Sequence, residues 1–287
     1  MENKVWTVRK ENLIKMKLKD KVVLVTGGSG GLSRLVSKAI TMEAAIVILS
    51  SRNEEELFNA VNELNLVGHT NEYIKTDITN QKDIKNLVKK IKEKYGRIDV
   101  LINLVGTQSP IGPFVEADTS ELLKNLETNF IGVVLLCKEV LPLMIKNKKG
   151  KIINFSGGGA LSPRPNFLMY GSSKTALVRF SETLAEELKE YNIDVNVIAP
   201  GGINTKMNKE IINAGEKAGE SEVNKAKEIA KTGGTSKEAL KELAVFLASD
   251  ESDGITGRLI SAPWDSWRNL TKEDLQKYEV EKKLNQL

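Results

Sequence analysis

A single cysteine, Cys137, and a single histidine, His69, are all the thiol and imidazole that 287 residues contain. One cysteine excludes an intrachain disulfide. With the lone histidine far from it in sequence, a zinc site or a Cys–His dyad has nothing to be built from, so no metal is expected. Cys137 closes the apolar run Ile131-Gly132-Val133-Val134-Leu135-Leu136-Cys137, where a small buried thiol is the expected reading, and a reducing, cytoplasmic setting fits. No Pro- or Ser-rich linker interrupts the chain and no internal repeat is visible. No stretch reads as long and apolar enough to cross a bilayer, and Met1–Lys21 lacks the apolar core of a signal peptide. Charge of one sign is also scarce: the net +4 is spread along the chain as a solvated surface, which argues against a nucleic-acid or membrane partner. Hydrophobic residues at 40% suffice at this length for a large core without disulfides or metals.

What is present, from Lys21 onward, is alternation. Short β-branched apolar runs at Val22–Val25, Ile46–Leu49, Glu72–Lys75, Val100–Asn103, Lys151–Phe155, Asp194–Ile198 and Arg258–Ser261 read as strands. Between them, Leu32–Glu43, Glu54–Leu64, Gln81–Tyr95, Ser120–Lys146, Met169–Tyr191 and Lys237–Ala248 read as helices. Near-continuous apolar strands separated by helices predict an α/β, Rossmann-type doubly wound domain: one seven-stranded parallel sheet with helices on both faces. Residues 20–267 are expected to form it, with a polar extension over 1–19 and a charged tail over 268–287. Residues 204–236 are rich in Lys, Glu, Ala and Gly and follow a strand end. Ligands bind outside the carboxyl ends of such strands, so this insertion is expected to be a substrate lid, or else an ordinary surface hairpin.

The first strand runs into Thr26-Gly27-Gly28-Ser29-Gly30-Gly31-Leu32-Ser33-Arg34 and then a helix. Glycines at that place let backbone approach a dinucleotide diphosphate, which the helix N-terminus also favours. Farther on, Tyr170-Gly171-Ser172-Ser173-Lys174 puts a phenol and an ammonium on one helical face at i, i+4. A carbonyl becoming an alcohol needs a proton as hydride arrives. A phenol of pKa about 10 is too weak an acid at neutral pH, and a nearby ammonium is expected to lower that value.

On these residues the chain resembles the single-domain short-chain dehydrogenases/reductases, from about Lys21 to Ala262. Thr26, Gly27 and Gly31 match the family's T-G-x-x-x-G-x-G turn, with Ser33 in place of the last glycine. The resemblance implies that Gly27, Ser29, Gly31 and Leu32 meet the cofactor, and that Asp77 and Ile78 lie by the adenine. Asn103 and Gly106 stand for the stretch after the fourth strand. Pro200, Ile203 and Thr205 stand for the P-G-x-x-x-T stretch at the nicotinamide carboxamide. Ser51 is neutral where NAD-using relatives tend to carry Asp, and Arg52 can fork onto a 2′-phosphate, with Arg34 in reserve. NADP(H) is therefore expected, with NAD(H) still open if Arg52 only covers surface.

By position Tyr170 inherits the acid/base role, Lys174 the support of phenol and nicotinamide ribose, and Asn129 the ordering of a relay water, unless Asn129 merely caps a kink. The serine expected thirteen residues before the tyrosine is Gly157 in Asn154-Phe155-Ser156-Gly157-Gly158-Gly159-Ala160. Three readings stay open. Ser156 reaches in from one residue earlier; or a lid residue, a backbone N–H of Gly157 to Gly159 or the substrate itself replaces the serine; or catalysis is lost and the domain binds nucleotide as a regulator or partner subunit.

Two of the three tryptophans lie in Pro263-Trp264-Asp265-Ser266-Trp267-Arg268. Aromatic faces beside Asp and Arg suit a sugar or polyol, or an interface. A 3-oxoacyl or other apolar ketone is the rival substrate class. Relatives pair through two long helices, here Ser120–Lys146 and Met169–Tyr191, so a homodimer or homotetramer is expected.

Overall fold

Every residue of the first strand, β1 (Val22–Thr26), is buried, as a parallel strand covered on both sides must be. The computed structural model describes residues 16–67 and 71–269. In chain order it continues through α1 (Gly31–Met42), β2 (Ile46–Ser51), α2 (Glu54–Asn65), β3 (Glu72–Lys75), α3 (Gln81–Tyr95), β4 (Val100–Asn103) and α4 (Thr119–Leu126). Then follow α5 (Gly132–Asn147), β5 (Gly150–Phe155), α6 (Leu168–Glu187), β6 (Ile193–Ala199), α7 (Lys206–Ala214), α8 (Glu220–Thr232), α9 (Lys237–Ala248) and β7 (Arg258–Ser261). The seven strands form one sheet in the order β3-β2-β1-β4-β5-β6-β7, and every pairing is parallel. The order reverses between β1 and β4, which opens a crevice at their carboxyl ends.

Alternate residues of each strand feed opposite layers. Val23, Val25, Val47, Leu49, Ile153 and Phe155 pack with α1, α2 and α9, whereas Val22, Leu24, Ile48, Leu101 and Ile152 pack with α3, α5 and α6. Side chains lock the strands in register: Thr26 Oγ1 donates to Asn103 Oδ1 (3.2 Å), Asn103 Nδ2 to Asn154 Oδ1 (2.8 Å), and Asn154 Nδ2 to Ser181 Oγ of α6 (2.8 Å). At the opposite end of the sheet Lys151 Nζ pairs with Asp194 (2.6 Å) and Asp253 (2.8 Å).

Four sequence-based expectations need correction. The leader does not extend to residue 19, because Leu18 is fully buried in the core and its N–H donates to the Glu43 carbonyl. The helix expected over Ser120–Lys146 is α4 and α5 joined by a π-helical turn, Glu127–Ile131. A π turn shifts hydrogen-bond register without changing the hydrophobic period enough to be read in sequence. That same rod, Thr119–Asn147, does have the length and apolarity to span a bilayer, but half of its most apolar window is buried inside this protein, where α5 packs on the sheet. Finally, α6 stops at Glu187 and a 3₁₀ turn, Lys189–Tyr191, replaces its expected last turn. His69, Trp6 and the expected tail after residue 269 lie outside the described residues.

Candidate active site

The glycine turn has the shape its sequence predicts. Gly27 has φ +67°, and a Cβ there would stand 2.8 Å from the Leu104 carbonyl carbon and the Val105 nitrogen, so only glycine fits. Gly30 caps α1 without any side-chain hydrogen bond, and the helix's first turn carries no acid. The N–H groups around Gly31 and Leu32 therefore face a site suited to a diphosphate. Ser51 Oγ donates to Ser29 Oγ (3.2 Å), which ties the end of β2 to the turn. Thr205 Cγ2 lies 3.9 Å from where a Gly31 Cβ would be, so the Pro200–Thr205 segment folds over the same turn, held in part by the Ile203–Gly234 bridge. These residues fit a dinucleotide.

At the adenosine end, Arg34 and Arg52 separate. Arg34 is engaged by Glu63 (2.7 Å). Arg52 is exposed, and among the described residues nothing pairs with it. Asp77 Oδ1 accepts from the Thr79 N–H (2.9 Å) and hydroxyl (2.7 Å), next to buried Ile78. Asn103 is 1% exposed and its side chain is consumed by the strand network, so only its backbone is left to face a cofactor.

Tyr170 and Lys174 do share a face of α6, and Asn129 joins them from the π turn. Lys174 Nζ donates to the Phe155 carbonyl (3.0 Å) and lies 6.0 Å from the Tyr170 ring centroid. Asn129 is wholly buried. Its Oδ1 accepts from the Thr107 N–H (2.8 Å), while its Nδ2 reaches Asn125 Oδ1 (2.9 Å) and Ser173 Oγ (3.1 Å). A Cβ on Gly106 would stand 3.5 Å from Asn129 Oδ1 and 3.6 Å from Lys174 Nζ, which places Gly106 between them.

The expected electrostatics are not those found. Burial drives the Lys174 ammonium down to about 8. Burial pushes the Tyr170 phenol up, and the opposing charge is not Lys174 but the Arg164 guanidinium. Both groups have lost water, and desolvation penalises whichever form is charged.

Gly157 faces Tyr170 directly. A Cβ on Gly157 would collide with the Tyr170 hydroxyl and stand 2.7 Å from its Cζ. Ser156 is buried with its N–H donated to the Ile198 carbonyl (2.9 Å), and among the described residues its hydroxyl makes no hydrogen bond to Tyr170. The group that does approach Tyr170, and that the sequence reading passed over, is Arg164 in Pro163-Arg164-Pro165. Its Nη2 and Nε bond to Glu222 Oε2 of α8 (2.6 and 2.9 Å), and it stacks 3.8 Å over Phe167. A lone arginine between two prolines just before the Y-x-x-x-K motif was the available signal.

The 204–236 segment folds as α7 and α8, tied together by Asn208 Nδ2 to the Ala226 carbonyl (2.8 Å) and to the β4 loop by Gln108 and Met207. It packs on Tyr170: Phe167, Tyr170, Ile211, Ala218 and Ala226 form one cluster, edged by Ile111, Met207 and Val223. Trp267 is buried and stacks on Phe246 (5.6 Å), leaving Trp264, 71% exposed, as the one outward tryptophan of that pair. A groove of about 730 Å³ between α1 and α9 shares no lining residue with Tyr170.

The family model for short chain dehydrogenases matches residues 21–216. A 3-oxoacyl-(acyl-carrier-protein) reductase of Thermotoga maritima is 33% identical over 85% of this chain and 97% of its own length. A 3-ketodihydrosphingosine reductase of Bacteroides thetaiotaomicron is 35% identical over 66% of each. Among solved structures, an NAD+-bound xylitol dehydrogenase superposes with TM-score 0.79 at 25% identity, covering 85% of this chain and 98% of that one. An actinorhodin polyketide ketoreductase with NADPH gives 0.78 at 26% identity, over 84% and 95%. With a seven-stranded parallel sheet and a glycine turn of this shape, the chain belongs to the short-chain dehydrogenase/reductase family, oxidoreductases that interconvert carbonyl and alcohol with NAD(P).

Proposed function

We propose that the chain is an NADP(H)-dependent reductase of ketones on an apolar, acyl-like skeleton, with Tyr170 as proton donor. The observation that carries the substrate class is the apolar wall that α7 and α8 lay against Tyr170, made of Ile211, Ala218 and Ala226 with Met207 and Val223. Such a wall has no hydrogen bonds to offer a polyol. The sugar reading rested on Trp264 and Trp267 together, and Trp267 is turned inward. The reductases of 3-oxoacyl and 3-keto substrates among the relatives support the same choice. Arg52, exposed and unpaired among the described residues, against Arg34 held by Glu63, supports NADP(H).

NADPH supplies the hydride when bound. Tyr170 Oη gives its proton to the carbonyl oxygen, Lys174 holds the nicotinamide ribose, and Asn129 fixes the β4 loop and α6 beside them. Tyr170 is 8% exposed, so α7 and α8 act as a lid that must part to admit substrate. Leu123, Ile131 and Leu168, exposed on α4, the π turn and α6, support self-association through those helices.

The test is NADPH and NADH oxidation across 3-oxoacyl thioesters, simple ketones, and keto-sugars, with Tyr170→Phe as control. Turnover of acyl ketones that Tyr170→Phe abolishes is expected. Keto-sugar turnover without acyl-ketone turnover would overturn the substrate class. Binding of NADPH with no turnover of any carbonyl would favour a nucleotide-binding regulator.

A further inference from the structure

Three consecutive glycines stand where the family resemblance leads one to expect a serine, and they lie against Tyr170 and Arg164. Gly157 leaves space for the Tyr170 hydroxyl. A Cβ on Gly158 would stand 3.5 Å from Arg164 Nη1, and one on Gly159 would stand 3.3 Å from Arg164 Cβ and 3.0 Å from Gly171 Cα. The phenol fills the space at Gly157, and Arg164 packs in contact with Gly158 and Gly159 beside it. The guanidinium carbon lies 5.9 Å from the Tyr170 ring centroid, and its side chain is 14% exposed against 19% for Glu222.

We propose that Arg164 is a positioning residue for Tyr170 that replaces the charge support of the absent serine, and that Glu222 of the lid helix α8 sets how much of that charge Tyr170 feels. With Glu222 against it, the guanidinium is partly neutralised; with α8 lifted, its full charge acts on the phenol. Lid movement and acid strength are thereby coupled through one ion pair. The direction of the Arg164 effect on the phenol, downward against burial, agrees. The other charges around the site are Lys174 on α6 itself and Lys225, 3.7 Å from Glu222 Oε1. α7 contributes apolar Met207, Ile211 and Ile212 and the neutral Asn208, bonded to the Ala226 carbonyl, and the turn before α8 contributes Ala218.

The proposal deepens the reductase reading, so its test needs a readout that does not require turnover. In the full chain labelled with ¹³Cζ-tyrosine, the Tyr170 resonance, assigned by its loss in Tyr170→Phe, is followed against pH for wild type, Arg164→Gln, Arg164→Lys and Glu222→Gln. Arg164→Gln is expected to move the phenol titration to higher pH and Glu222→Gln to lower pH, while Arg164→Lys stays near wild type. The alkaline limb of kcat on a 3-oxoacyl thioester, where the proton-donating phenol is lost, should move the same ways, with Arg164→Gln about tenfold slower at neutral pH. Loss of mere packing would move both neutral variants alike; shifts of one sign, or none, overturn the proposal. If wild type reduces no carbonyl yet the titrations diverge as stated, the reductase reading fails and the Arg164–Glu222 device stands.

Discussion

The hydroxyl of Tyr170 occupies the space that any side chain at Gly157 would need. Restoring the family's serine is therefore not a repair in this chain. Gly157→Ser overpacks the space held by the Tyr170 hydroxyl and should cost roughly 1–3 kcal/mol of stability, while pushing Tyr170 off its position and slowing turnover. Denaturant melts and initial rates check both. A Gly157→Ser enzyme as stable as wild type and faster would show that Tyr170 yields easily and that the space is not specific.

Lys174 gives a pH dependence whose sign can be worked out. Its folded value of about 8 lies below the ordinary lysine value of 10.5, so between those pH values the unfolded chain binds more protons than the folded one. Stability should then rise with pH across that window, because the cost of a buried ammonium is fully present below about pH 8 and fades above it. The gain attributable to this group is roughly 3 kcal/mol over the full window. Urea melts between pH 8 and 9.5, below the range where Tyr170 ionises, should show the rise in wild type and a flatter profile in Lys174→Met.

Cofactor choice should turn on Arg52 rather than Arg34, because Arg34 is already held by Glu63. Arg52→Ala should weaken NADPH binding about tenfold, the size of one lost charge-assisted contact, and leave NADH nearly unchanged. Isothermal titration with each cofactor reads this directly, and equal weakening of both would remove the assignment.

Stability and chemistry should separate at the two ends of the sheet. Asp194→Ala strips one partner from Lys151, which is 3% exposed at the strand starts, and should cost about 3 kcal/mol, tempered by the remaining Asp253 contact. Below its lowered melting temperature the variant should keep the wild-type KM. A changed KM would mean that the far edge of the sheet communicates with the site.

The seven strands were legible because most are apolar runs and all alternate with amphipathic helices; for β3, α3, β4, α9 and β7 even the ends agree. The placement of Gly27 in a positive-φ turn and of Tyr170 and Lys174 on one helix was legible because it depends on spacing along one turn or one helix, which sequence records. Tertiary packing decided the rest. Asn129, on the π turn, bonds through its side chain to Thr107 and Ser173, residues 22 and 44 positions away. The direction of the Tyr170 shift follows from burial under α7 and α8, and the charge that opposes it comes from Arg164, held by Glu222 at a separation of 58 residues. Sequence spacing alone could pair the Tyr170 phenol with Lys174 on one helix. Which charge stands beside that phenol depends on desolvation and distance, and both exist only once the chain has folded.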